Sequence, residues 1–90
     1  MQPGKVMFEI YRDTAYTGRF EVVYFTELGE TQRDTAIARA MAGEHLYDGF
    51  LRTFRAEEAK PVIETILDEL NTGREMAPDE IARRLAPFAA

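Results

Sequence analysis

Residues 5–28, KVMFEIYRDTAYTGRFEVVYFTEL, decide how this chain folds. Val6, Phe8 and Ile10 alternate with Met7, Glu9 and Tyr11. After a short break, Phe20, Val22 and Tyr24 alternate with Glu21, Val23 and Phe25. A period of two is the mark of a strand, so the stretch predicts an antiparallel hairpin. One set of side chains is uniformly apolar. The other mixes acids with Met7, Tyr11, Val23 and Phe25, so it needs a cover, either from the rest of the chain or from another molecule.

The turn lies within residues 13–18, where Asp13 and Gly18 supply turn chemistry. Setting both apolar series on one face puts Ile10 opposite an even-numbered residue, Phe20 or Val22. The connection then has odd length, with Gly18 suited to the positive-φ position of a bulged turn.

Outward from the hairpin, Thr31 has the character of a helix N-cap, with Asp34 three residues on. The expected helix spans about 32–42 and stops at Gly43. Its buried stripe is Ala36, Ile37, Ala40 and Met41. Residues 45–54 are open to two readings. Leu46, Tyr47, Phe50, Leu51 and Phe54 fit a helical stripe, but Gly49 interrupts it. A third strand is preferred, because a bare hairpin is marginal. The clearest helix runs from Ala56 to about Asn71, with Ala59, Ile63, Ile66, Leu67 and Leu70 at helical spacing and Glu57, Lys60, Glu64 and Asp68 opposite. Pro61 belongs in its first turn or kinks it. A last helix starts at Pro78, with Asp79 and Glu80 favourable in its first turn and Ile81 and Leu85 facing inward. The expected fold is α+β, one domain over residues 1–90, with the hairpin enlarged to a three-stranded sheet and packed in two layers with two to three helices.

Composition narrows the chemistry. The chain is 46% hydrophobic and 30% charged, as globular domains are, and has no run approaching a transmembrane span. It has no cysteine, and its N-terminus leads directly into a strand pattern, so a cytoplasmic location is expected. Nine of its eleven bases are arginine and twelve residues are alanine, a bias expected of a GC-rich bacterial or phage genome. Net charge is −5, and the acidity is local: residues 57–80 hold eight acids against Lys60 and Arg74. Nucleic-acid affinity needs cations that neutralise phosphates. Only clustering of Arg12, Arg19, Arg33 and Arg39 would supply them.

Serine is missing as well as cysteine, and His45 is the single histidine, so neither a Ser-His-Asp nor a Cys-His constellation can form. No phosphate-cradling glycine loop and no zinc ligand pair occurs. No cofactor, metal, membrane or nucleic acid is expected. The one acid–base candidate is Glu44, His45 and Asp48. On a helix, His45 and Asp48 would sit one turn apart and orient the imidazole as a base. The same three residues are the only candidate for an oxygen-rich cation site.

The expected function is therefore a small acidic non-enzymatic protein–protein interaction module, of inhibitor, immunity or accessory-subunit type. Met7, Tyr11, Val23 and Phe25 would make the contact and associate into a homodimer. Glu64 and Asp68 on the acidic helix would meet a partner with a basic surface. The alternative is a small-ligand binder or minor enzyme, its pocket lined by Tyr11, Tyr24, Phe25 and Tyr47 near His45.

Overall fold

The computed structural model describes residues 4–48 and 52–90. Strands β1 (Lys5–Val6), β2 (Phe8–Arg12) and β3 (Phe20–Tyr24) follow the alternation. β2 and β3 pair antiparallel, with Ile10 opposite Val22 and Phe8 opposite Tyr24, which is the expected parity. The Asp13 N–H donates to the Arg19 carbonyl (2.8 Å), and the Gly18 N–H donates to the Asp13 carbonyl (2.7 Å). Residues 14–18 thus close an odd-length turn, and Gly18 takes φ 71°, the left-handed region glycine enters without steric cost.

The third strand, β4 (Glu44–Asp48), lies on the other side of β2, giving the antiparallel order β3-β2-β4. Its register slips by one: Tyr47 faces Ile10 while His45 faces Tyr11, leaving Leu46 as a bulge. Strand structure is what residues 45–54 were expected to have, but they do not form one continuous strand. Phe54 and Arg55 make β5, which leaves the main sheet to pair with β1. Gly49, the expected bulge, lies outside the described residues, as do Phe50 and Leu51.

Helix α1 (Glu30–Ala42) is capped two residues earlier than expected. Its N-cap is Gly29, whose N–H donates to Gln32 Oε1 at 3.3 Å, and Thr31 falls inside the first turn. It ends at Gly43 as expected, with φ −97° there rather than in the left-handed region that glycine caps often take. Glycine is required for space, because a Cβ would collide with the Arg12 carbonyl oxygen where β4 begins beside β2. The helix meets the sheet along Ala36, Ile37 and Ala40, and Met41 falls off that line, 71% exposed.

Helix α2 (Ala56–Asn71) buries Ala59, Ile63, Ile66 and Leu70 at the expected spacing. Pro61 stands in its second turn rather than its first. Both Pro61 and Glu57, whose carbonyl it cannot serve, are exposed, so the missing bond lies on the solvent side of the helix. Helix α3 (Pro78–Leu85) starts on Pro78 and buries Ile81 and Leu85.

Helices cover both faces of the sheet. Val6, Phe8, Ile10 and Tyr47 pack with Phe54 against the buried stripes of α2 and α3. This is the main core, where each fully buried aliphatic side chain contributes roughly 1.5–3 kcal/mol. The opposite face of the hairpin carries Tyr11, Val23 and Phe25, and α1 covers these through Ala36, Ile37 and Ala40. The two-layer packing expected of the domain thus gains a third layer, α1. Among the described residues, no helix is long and apolar enough to cross a membrane.

Candidate functional site

The face under α1 is where the hairpin was expected to offer a contact surface. Tyr11, Val23 and Phe25 are only 5%, 8% and 5% exposed there, and Met7 is half-buried. Tyr11, Val23 and Phe25 take their cover from the chain's own helix, so their burial no longer requires a second molecule over the hairpin. Two acids share this side. Glu9 is buried and meets His45 Nδ1 across the strands. Asp13 is fully buried and accepts from Arg39 Nε (2.9 Å) and Nη2 (2.6 Å), from the Tyr16 N–H (3.3 Å) and from the Thr17 hydroxyl (3.4 Å). Asp13 thereby ties the hairpin turn to α1.

The acid–base candidate required Glu44, His45 and Asp48 to lie on a helix, and that condition fails. Residues 44–48 form a strand, and His45 meets Glu9 across the sheet. The expected aromatic pocket does not form either. Tyr11 and Phe25 lie under α1, whereas Tyr47 stacks on Phe8 at 5.4 Å in the other core, with Tyr24 packed beside it. Among the described residues, no group of three histidine or acidic side chains is placed to hold a metal ion.

On α2, Glu57 and Asp68 are exposed. Glu64 accepts the Tyr24 hydroxyl at 3.0 Å, and Lys60 pairs with Glu27 while lying 4.9 Å from the Tyr24 ring centre. Burial, then the charge and hydrogen bond of Glu64, push the Tyr24 hydroxyl well above its ordinary range. Burial also raises Tyr11. The sign follows from linkage: an unfolded tyrosine ionises near pH ~10, whereas these keep their protons in the fold. Their contribution is complete below that pH and is lost as pH rises above it. Tyr24→Phe should therefore flatten the fall in melting temperature between about pH 9 and 11. Parallel curves for the two proteins would refute this role.

Away from both cores, the hairpin turn and the α2–α3 connection face each other across an open cleft of about 530 Å³. Asn71, at the end of α2, acts as a substitute strand: its side chain accepts the Phe20 N–H (2.8 Å) and donates to the Phe20 carbonyl (3.0 Å). That pair of hydrogen bonds pins the two walls together. The far wall is held by Glu69, which grips Arg84 (2.8 Å) and Arg74, while Arg74 also reaches Glu80. The Arg84 and Arg74 guanidiniums hold the Glu69 carboxyl below its usual range. Phe20, Leu46, Leu70 and Met76 supply apolar lining.

Arg12 and Arg19 complete the cleft. Both are exposed, and neither has a carboxylate within ion-pair distance among the described residues. Arg12 is held in place, with Nε donating to the Gly18 carbonyl (3.3 Å) and its guanidinium carbon 6.0 Å from the Phe20 ring centre. Arg39, by contrast, is consumed by Asp13. The four arginines considered as a phosphate-binding group are therefore divided, with Arg33 and Arg39 on α1. Compared with known protein families, curated proteins and solved structures, the chain has no match.

Proposed function

We propose that this chain is a small non-catalytic interaction module, and that it recognises its partner through the cleft between the hairpin turn and the α2–α3 connection. One observation carries the reading. In a chain where acids outnumber bases by 16 to 11, Arg12 and Arg19 stand without acid partners among the described residues, beside a floor of apolar side chains. A charged rim around an apolar centre is the usual anatomy of a recognition surface. Small-molecule pockets enclose most of their ligand. This cleft is open to solvent and better suits a segment of another protein.

Affinity capture from the native host tests the proposal with three forms of the protein: wild type, Arg12→Glu/Arg19→Glu, and Glu64→Lys/Asp68→Lys. A partner kept by the wild type and the helix variant but lost by the arginine variant is the expected result. A partner that follows the acidic helix instead would restore the basic-partner reading. Retention that ignores the arginines would sink the cleft as the recognition surface.

A further inference from the structure

Given the cleft as the recognition surface, we infer that its occupant is an acidic peptide segment in which a carboxylate lies next to an aliphatic or aromatic side chain. The chemistry of the lining leads to this class. A guanidinium has five N–H donors in a fixed fork that matches a carboxylate. Arg12 spends its Nε–H on the Gly18 carbonyl, which orients the fork and leaves the remaining donors for a ligand. Arg19 is anchored at its backbone on both sides, its N–H on Thr17 Oγ1 (3.2 Å) and its carbonyl on the Asp13 N–H. The Arg12 guanidinium is thus oriented before binding, and the backbone that carries Arg19 is braced, so part of the ordering cost is already met. The Phe20 ring lies within cation–π distance of Arg12, so the charge site and the apolar floor adjoin. A ligand that satisfies both must carry its carboxylate and its apolar group only a few ångströms apart, as neighbouring residues of a peptide do.

The same lining argues against a nucleic acid, which needs several phosphate-neutralising cations along its backbone. Arg74 lines the cleft but is occupied by Glu69 and Glu80. Glu75 lines it too, as an exposed acid. Its charge repels the occupant's carboxylate, which sets the polarity: acid toward Arg12 and Arg19, apolar group toward Leu70 and Met76.

The test is a titration of the ¹⁵N-labelled full chain with a blocked aspartyl-leucyl-aspartyl peptide, followed by amide shifts. Saturable shifts are expected at Arg19, Phe20, Leu46 and Gly73. The asparaginyl analogue and the Arg12→Gln/Arg19→Gln protein should each bind roughly tenfold more weakly. A seryl analogue lacking the leucine should also weaken, and Glu75→Gln should tighten binding by roughly twofold. Both arginines are exposed, so an amide spectrum unchanged elsewhere shows that the double variant folds. Absence of saturable cleft shifts overturns the inference. So does equal response to the uncharged peptide, or stronger binding of a short single-stranded oligonucleotide. If arginine-dependent capture persists while every acidic peptide fails, the cleft stands as a recognition surface and only the class of occupant is wrong.

Discussion

Phe8→Ala is expected to cost about 3–5 kcal/mol of folding stability. Phe8 has no exposed surface and stands on β2, the central strand. Its ring lies 5.4 Å from Tyr47, 5.4 Å from Phe54 and 6.5 Å from Tyr24, so one side chain joins the main sheet to the small β1–β5 sheet. The walls of the resulting cavity are held by β2, β4 and α2, which limits collapse into it. Domains are stable by only ~5–15 kcal/mol, and one of this size sits near the lower end. The melting temperature should fall by roughly 15–30 °C, and the urea midpoint should drop without a change in slope. Phe8→Leu, which keeps much of the volume, should lose less. A Phe8→Ala protein within about 1 kcal/mol of the wild type would mean that the main core is built elsewhere.

The features legible in the sequence were those set by short-range period. The even-numbered hairpin set, its register parity, the stripe of α2 and the proline start of α3 all follow from alternation or helical spacing. The identity of the cover over Tyr11, Val23 and Phe25 was not legible, because α1 covers them with two alanines and a half-buried isoleucine. So little side-chain volume gives a weak apolar stripe, and Met41 misleads by extending it. His45 shows a different limit. Its partner Glu9 is distant in sequence and is reached through a register slip at Leu46, which no local pattern encodes. In the sequence the nearer acids Glu44 and Asp48 looked more natural. The cleft draws on the hairpin turn, the β4 bulge, the end of α2 and the connection to α3. Arg12 and Arg19 stood out only as two of four scattered cations. The fold separates them by setting Arg12 and Arg19 in the cleft, giving Arg39 to Asp13 and leaving Arg33 exposed on α1.

That pairing leads to an asymmetric result: Arg39→Leu should lower the melting temperature more than Asp13→Asn does. The Asp13 side chain is 0% exposed, whereas that of Arg39 is 43% exposed and lies 4.8 Å from the ring centre of Tyr16. Removing the guanidinium leaves a carboxylate out of reach of water, with only the Tyr16 N–H and the Thr17 hydroxyl to offset its charge. A buried ion stripped of its partner is among the costliest single changes in a protein. Asparagine at position 13 keeps an acceptor for the Tyr16 N–H, and the released Arg39 turns to solvent at little cost. The difference between the two variants should be roughly 10 °C in thermal unfolding. The double variant Arg39→Leu/Asp13→Asn should recover part of what Arg39→Leu loses, since no charge is then left buried. Equal losses from the two single variants, with no recovery in the double, would show that Asp13 is solvated and that the turn is not tied to α1 through it.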